Sequence, residues 1–247
     1  TDVVSYIKKM VMSDPMSFWN NVNRAMTVNG VPERDERYLK DWADLHIGPD
    51  QDVSQAEDNE KAGLAKAVFG GIMIMRAYAT PEEKRVNGWG VPPVGFGRSG
   101  VHGNFYIRGA IQSMRGIVAN DAEEAMYMGR DKDQNGDSIT SKHTYELHFP
   151  PGQTPPARYF WSLTVYDQDA NLMLNDYDRY AISGNSEDLI YEDDGSLRIL
   201  IGGEPPEGMV GNWLPAGESY TRVTLRVYGP EKAMIERSWK PPQLKRL

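Results

Sequence analysis

The chain has 247 residues, of which 40% are apolar and 25% charged, and its formal net charge is −8. Those values exclude a disordered or fibrous chain, and the acidic balance argues against a nucleic-acid partner, whose phosphates reward a basic face. With no cysteine, disulfides, thiolate metal sites and thiol catalysis are excluded as well. No stretch approaches the ~18 uncharged apolar residues that span a bilayer, so no transmembrane segment is expected.

Residues 1–80 read as helices. Ser13-Asp14-Pro15 supplies a capping side chain and a proline for the first turn, and Asn29-Gly30 stops the helix. Phe18, Trp19, Val22 and Met26 give that helix its apolar side. A second helix is predicted from Pro32 to about His46, with Tyr38, Leu39, Trp42 and Leu45 on one stripe. Ser54 is placed to cap a third, Gln55–Ala79. Its stretch Leu64–Tyr78 is apolar nearly all round, which predicts burial between layers. Residues 87–103 are broken by Gly88, Gly90, Pro92, Pro93, Gly95, Gly97, Gly100 and Gly103 and cannot sustain a regular element. A short helix from Asn104 to about Ile117 follows.

Beyond it the apolar period changes from helical to two. Arg158–Asp167 alternates Tyr159, Trp161, Leu163 and Val165 against Phe160, Ser162, Thr164 and Tyr166. Ser219–Tyr228 alternates Thr221, Val223, Leu225 and Val227 against Tyr220, Arg222, Thr224 and Arg226. Both predict strands buried on one face, which puts Leu163, Val165, Val223, Leu225 and Val227 in one core. Shorter strands are expected at Ala125–Met128, Lys142–Phe149, Leu172–Leu174 and Leu197–Ile201, separated by turn clusters such as Asn135-Gly136 and Asp194-Gly195. The expected fold is α+β: a helical segment and Gly/Pro-rich connector over 1–103, packed on an antiparallel sandwich over 104–247.

The second half also carries a resemblance. Tyr106-Ile107-Arg108, Asn120-x-x-Glu123-Glu124-Ala125-x-Tyr127 and Asp133-x-x-Gly136 come first. Tyr145-x-Leu147-x-Phe149-Pro150, Phe160-Trp161-Ser162-Leu163-Thr164-x-Tyr166-Asp167 and Arg179-Tyr180 follow. Asp194-Gly195-Ser196-Leu197, Asn212-Trp213-Leu214-Pro215 and Arg226-x-Tyr228-x-Pro230 complete the series. In order and spacing these resemble the bacterial family called domain of unknown function 1214, which usually follows a partner domain, number 1254. The resemblance implies a jelly-roll-like β-sandwich with helices packed on it, and no established chemistry. It also implies that a 1254-type domain is missing from this chain or is supplied by a separate one.

The sequence offers few marks of chemistry. Gly95-Phe96-Gly97-Arg98-Ser99-Gly100 spells a dinucleotide fingerprint, but Pro92-Pro93 stand where a strand should lead into it, so it reads as a loop. Asp131-x-Asp133-x-Asn135-Gly136-Asp137 looks like half an EF-hand loop. Lys142 occupies the position of the bidentate glutamate, so a polar hairpin is expected instead. His46, His102, His143 and His148 show no zinc spacing, although Glu146 and His148 would share a strand face. The pairs Met10/Met12, Met73/Met75 and Met126/Met128 read as core filling. Neither a metal nor a cofactor is expected.

The most suggestive group is polar side chains lodged among aromatics. Trp161, Tyr166 and Asp167 sit on or beside one strand, Asn175, Arg179 and Tyr180 follow it, and Asn212, Trp213, Arg222 and Arg226 come from later segments. Arg108 joins them from the first motif of the resemblance. Aromatic faces with a few donors suit sugars or other small polar ligands, and arginine offers a planar fork for a carboxylate or phosphate. The same residues also suit a network of Arg, Asp and Tyr that ties strands together. The expected role is a binding, structural or assembly domain of the cell envelope or periplasm. A hydrolase with a cleft between helices and sandwich is the rival, and a cupin-like metal site is a weaker one, since its His-x-His signature is missing. Phe18, Trp19, Trp42 and Trp89 are expected to be exposed. The chain should therefore associate with copies of itself or with a separate 1254-type chain.

Overall fold

A computed structural model describes residues 13–79, 85–91, 105–114 and 120–247. The Gly95–Gly100 motif, His102 and Met10/Met12 lie outside the described residues. The chain divides into two compact units, Thr1–Tyr78 and Ala79–Leu247.

The first unit is helical. Helix α1 (Pro15–Asn29) starts as the sequence predicts, with Asp14 accepting from the Ser17 amide and proline in the first turn. Gly30 ends it at φ 74°, a left-handed conformation that glycine adopts without a Cβ clash. The second predicted helix is broken. Only Glu36–Trp42 (α2) is α-helical, with tight 3-10 turns at Glu33–Asp35 and Ala43–Leu45 and a left-handed His46 closing the segment. Helix α3 (Asp58–Ala79) starts three residues later than expected, because Asp52 accepts from Ser54 N and draws Val53–Gln55 into a separate turn.

One side of α1 fastens the loop that follows α2. Asn23, 2% exposed, donates to the carbonyls of His46 and Gln51 and accepts from Gly48 N. Asn20 accepts from Val53 N, and Thr27 accepts from Asp50 N. Residues 20, 23 and 27 stand on successive turns of one helix face, so a single helix satisfies a long irregular backbone. Ile47, Val53 and Leu64 form the core beneath, with Trp19, Met16 and Met26 against it. Trp19 is half-buried and donates to the Leu64 carbonyl, and Phe18 packs edge-on against it. Of the aromatics expected to be exposed in this unit, Trp42 is the one that is, stacked on Tyr38. The all-round apolar stretch of α3 is not enclosed. Leu64 and Val68 are buried, whereas Phe69, Met73 and Ile74 are 41%, 64% and 56% exposed, so Met73 is not core filling.

The second unit is built on two sheets. A six-stranded sheet has the order β1-β2-β3-β9-β5-β6, and a four-stranded sheet has the order β10-β4-β7-β8. The strands of the first are β1 (Arg85–Val86), β2 (Trp89–Gly90), β3 (Ala125–Arg130), β5 (Ala157–Tyr166), β6 (Ala181–Ser183) and β9 (Arg222–Pro230). Those of the second are β4 (Tyr145–Phe149), β7 (Leu197–Gly202), β8 (Trp213–Pro215) and β10 (Leu244–Arg246). The two long strands that the period-2 pattern predicts, β5 and β9, are antiparallel neighbours at the centre of the larger sheet. Their inward residues Leu163, Val165, Val223, Leu225 and Val227 are completely buried. They share one core with Tyr145, Leu147 and Phe149 of β4 and Leu197, Ile199 and Ile201 of β7, so the two sheets close over a common interior. The pairs are antiparallel except β7–β8, which is parallel.

Several short elements depart from the sequence reading. The β1–β2 hairpin runs into the Gly/Pro-rich zone, with Asn87-Gly88 as its turn and β2 within the zone. Trp89 is fully buried there rather than exposed. It donates to the Pro242 carbonyl, and the buried Arg130 guanidinium lies over its ring at 5.5 Å. Leu172–Leu174 is not a strand but a single bridge between Leu172 and Tyr166. Helix α4 (Phe105–Met114) buries Ala110 and Ile111, and a short α5 (Lys232–Ile235) buries Met234.

Candidate functional site

The larger sheet has a second face, turned away from the common core. Pairing aligns Phe160 with Tyr228, Ser162 with Arg226, Thr164 with Thr224 and Tyr166 with Arg222, and on the other side of β9 it aligns Tyr127 with Arg226. Alternation then places all of these side chains on that face. Ser162, Ser183, Ala181 and Gly129 are its small members, and they leave room for the long Arg226 side chain to lie along the sheet.

Arg226 is the centre of this face. Its Nη1 donates to Thr164 Oγ1 at 2.9 Å and its Nη2 to the Tyr166 hydroxyl at 2.6 Å. The guanidinium carbon stands 5.4 Å from the Tyr166 ring centroid and 5.9 Å from that of Tyr127, both within cation–π range. Tyr228 meets Tyr127 edge-on at 6.1 Å and stacks on Phe160 at 4.6 Å, so the rings continue as a row away from the guanidinium. Burial, followed by the hydrogen bond with Tyr228, raises the Tyr127 hydroxyl above its ordinary pKa. Arg222 lies across Gly129, where a Cβ would come within 3.0 Å of its Nη2. Among the described residues no carboxylate lies within 4 Å of Arg222 or Arg226.

Four other candidates converge elsewhere. Arg179 pairs with Asp188 at 2.6 Å and donates to the carbonyls of Gly211 and Trp213. Asn175 closes the loop before it, donating to the Met173 and Arg179 carbonyls and accepting from the Tyr177 and Arg179 amides. Asn212, 1% exposed, accepts from Ile190 N and donates to the Ile190 and Arg198 carbonyls. Trp213, also 1% exposed, packs edge-on against Tyr177 at 5.3 Å. Nearly every polar atom here answers to backbone, so the arrangement is a staple that fixes three loops.

Three of the remaining candidates have their partners outside both groups. Trp161 belongs to the core, tilted against Phe149 at 5.8 Å. Asp167 accepts from the amides of Asp169 and Asn171 and so shapes its own turn. Tyr180 is raised above its ordinary pKa by the hydrogen bond with Asp178, and its carbonyl accepts from Val165 N. Arg108 is half-buried on α4. The sequence thus points to Tyr166, Arg222 and Arg226 of the sheet face and not to Thr164, Tyr127, Tyr228 and Phe160. Alternation alone puts 160, 164 and 166 on one face, but only the β5–β9–β3 register brings them to Arg226.

The acidic hairpin is also knit into the fold. Asp133 Oδ1 accepts from Asn135 N and Asp137 N, and its Oδ2 stands 3.5 Å from Arg246 Nη1. Glu146 shares its strand face with His148 and lies 3.8 Å from Arg198. Among the described residues no group of three or more His, Asp or Glu is placed to hold a metal. No described helix is long and apolar enough to cross a membrane.

Comparison with known proteins bears on the same half of the chain. Residues 124–232 match the family described as protein of unknown function (DUF1214), so the resemblance read from the sequence holds over that segment. The VPA0106 protein from Vibrio parahaemolyticus overlays 86% of this chain with a TM-score of 0.59 at 20% identity, and the match covers 51% of that chain. This is a likeness of fold. A protein from Burkholderia cenocepacia aligns over 97% of this chain and 51% of its own, at 11% identity and a TM-score of 0.34, too loose to support any argument. The chain therefore spans about half the length of the solved structures it matches. No curated protein matches.

Proposed function

We propose that the unit carrying the DUF1214 segment is a binding domain that holds a small polar or glycan-like ligand on the sheet face around Arg226. One observation carries this reading. A half-buried guanidinium, set between two tyrosine rings and held by two neutral hydroxyls, has no carboxylate among the described residues to balance it. A structural arginine looks different, as Arg179 does with Asp188 and two carbonyls. Rings with a few fixed donors are what sugar-sized ligands use, because the rings cover apolar ring faces while the donors meet hydroxyl oxygens.

Saturation-transfer NMR on the full chain, with a set of neutral and acidic mono- and disaccharides, tests the reading. Transfer to sugar ring protons is expected, and it should fall in Tyr127→Ala. No transfer to any sugar, or equal transfer in Tyr127→Ala, overturns it.

The place of the domain is part of the proposal. It belongs to the cell envelope and associates with copies of itself or with a 1254-type chain. The exposed apolar side chains Phe69, Met73 and Ile74 on α3 support an association of this kind. Sedimentation of the full chain at low micromolar concentration checks it. A single species near 27.8 kDa sinks self-association.

A further inference from the structure

We infer that the ligand of the Arg226 face is anionic and that its carboxylate or phosphate group is gripped by the Arg226 fork. This rests on the reading of that face as a binding site and narrows the class of ligand.

A guanidinium keeps its proton under all physiological conditions, so its environment must supply the balance. In the same unit Arg179 answers to Asp188, Arg198 to Glu192, Arg246 to Asp137 and Arg85 to Asp131, while the buried Arg130, which among the described residues also has no carboxylate within 4 Å, gives its donors to the Asn87 and Lys132 carbonyls. Arg226 has the Thr164 and Tyr166 hydroxyls instead. A hydroxyl accepts one hydrogen bond without neutralising anything. Two of the five guanidinium donors are engaged in this way, and among the described residues the Nε–H and the second hydrogens of both terminal nitrogens have no acceptor. The two engaged bonds come from one strand, β5, and they fix the plane of the fork. That fixed plane suits a carboxylate or phosphate, which offers two oxygens to two parallel N–H groups. Arg222 on the same face adds a second positive charge, within a chain whose net charge is −8. The ring row Tyr127–Tyr228–Phe160 continues from the guanidinium and gives the uncharged part of such a ligand a surface to lie on.

Calorimetry with three probes that share one sugar ring tests this: galactose, galacturonate and galactose 6-phosphate, each titrated into the full chain. At least one of the two acidic sugars should bind about tenfold or more tightly than galactose, since a charge-assisted hydrogen-bond pair contributes that much. A preference for galacturonate identifies a carboxylate site, and a preference for the 6-phosphate identifies a phosphate site. Arg226→Gln should erase the difference while keeping the melting temperature within a few degrees of wild type. Arg226→Lys should recover little of it, because lysine offers a point charge and not a fork. Galactose binding as tightly as both acids, unaffected by Arg226→Gln, overturns the anionic assignment and leaves the binding reading standing. Failure of all three sugars to bind overturns both.

Discussion

Arg179 and Arg226 present the same group in opposite company. Arg179 meets a carboxylate and two backbone carbonyls, those of Gly211 and Trp213, which would otherwise lose a donor. Arg226 meets two side-chain hydroxyls and two rings, and among the described residues no backbone group accepts from it. The difference teaches how to separate a structural arginine from a binding one within one domain. The first is judged by what its removal leaves unsatisfied, the second by what it leaves itself free to bind.

The sharpest way to break the comparison is at Gly211, beneath the Arg179 staple. A Cβ there would run into the Asp188 carbonyl oxygen, a backbone atom that cannot swing aside as a flexible side chain can. Gly211→Ala is expected to destabilise the chain by about 3 kcal/mol or more, read by chemical denaturation. A wild-type midpoint would show that the three loops are not rigidly held. Asn212→Ala comes next, at about 2–3 kcal/mol, because it strands the Ile190 amide and two carbonyls in a buried place. Its hydrogen-exchange signature should be early opening around Ile190.

Arg179→Met should cost about 1–2 kcal/mol, mostly from the two orphaned carbonyls. The Asp188 side chain is 52% exposed, so the ion pair itself is screened and adds little. Added salt should therefore leave most of the difference between Arg179→Met and wild type in place. Arg226→Gln, by contrast, is expected to change stability by less than about 1 kcal/mol, since it removes an unbalanced half-buried charge along with two hydrogen bonds. If Arg226→Gln proves as damaging as Arg179→Met, the two arginines play the same part and the comparison fails.

The smallest effect lies in acid. Hydrogen bonds from the Ser196 side chain and amide hold the exposed Asp194 carboxyl below its ordinary pKa. A lowered carboxylate pKa in the folded state stabilises above the unfolded value, and that contribution fades as pH falls below about 4. Asp194→Asn should flatten this slope slightly in denaturation midpoints measured between neutral and acid pH. An unchanged slope would show that the Glu192–Ser196 turn stands without the charge.

What the sequence determined by itself is the part governed by local rules. The Asp14-Pro15 start and Gly30 stop of α1 need only the neighbouring residues, and they are present as read. The period-2 runs of β5 and β9 declare their own inward faces, because a strand alternates whatever it pairs with. The family motifs from Glu124 to Pro230 lie within the matched segment and were legible in the same way, whereas those at Tyr106–Arg108 and Asn120–Glu123 lie before it. Elements too short to carry a period were not legible: β6, β8 and β10 have three residues each, and their pairing comes from longer neighbours. The same holds for Trp89 and α3, where burial depends on what the rest of the chain lays against them. The binding face shows this limit most plainly. Arg226 and Tyr166 stand 60 residues apart. Their meeting with Thr164 and Tyr127 was decided by the register of β5, β9 and β3, a long-range choice that no local pattern encodes.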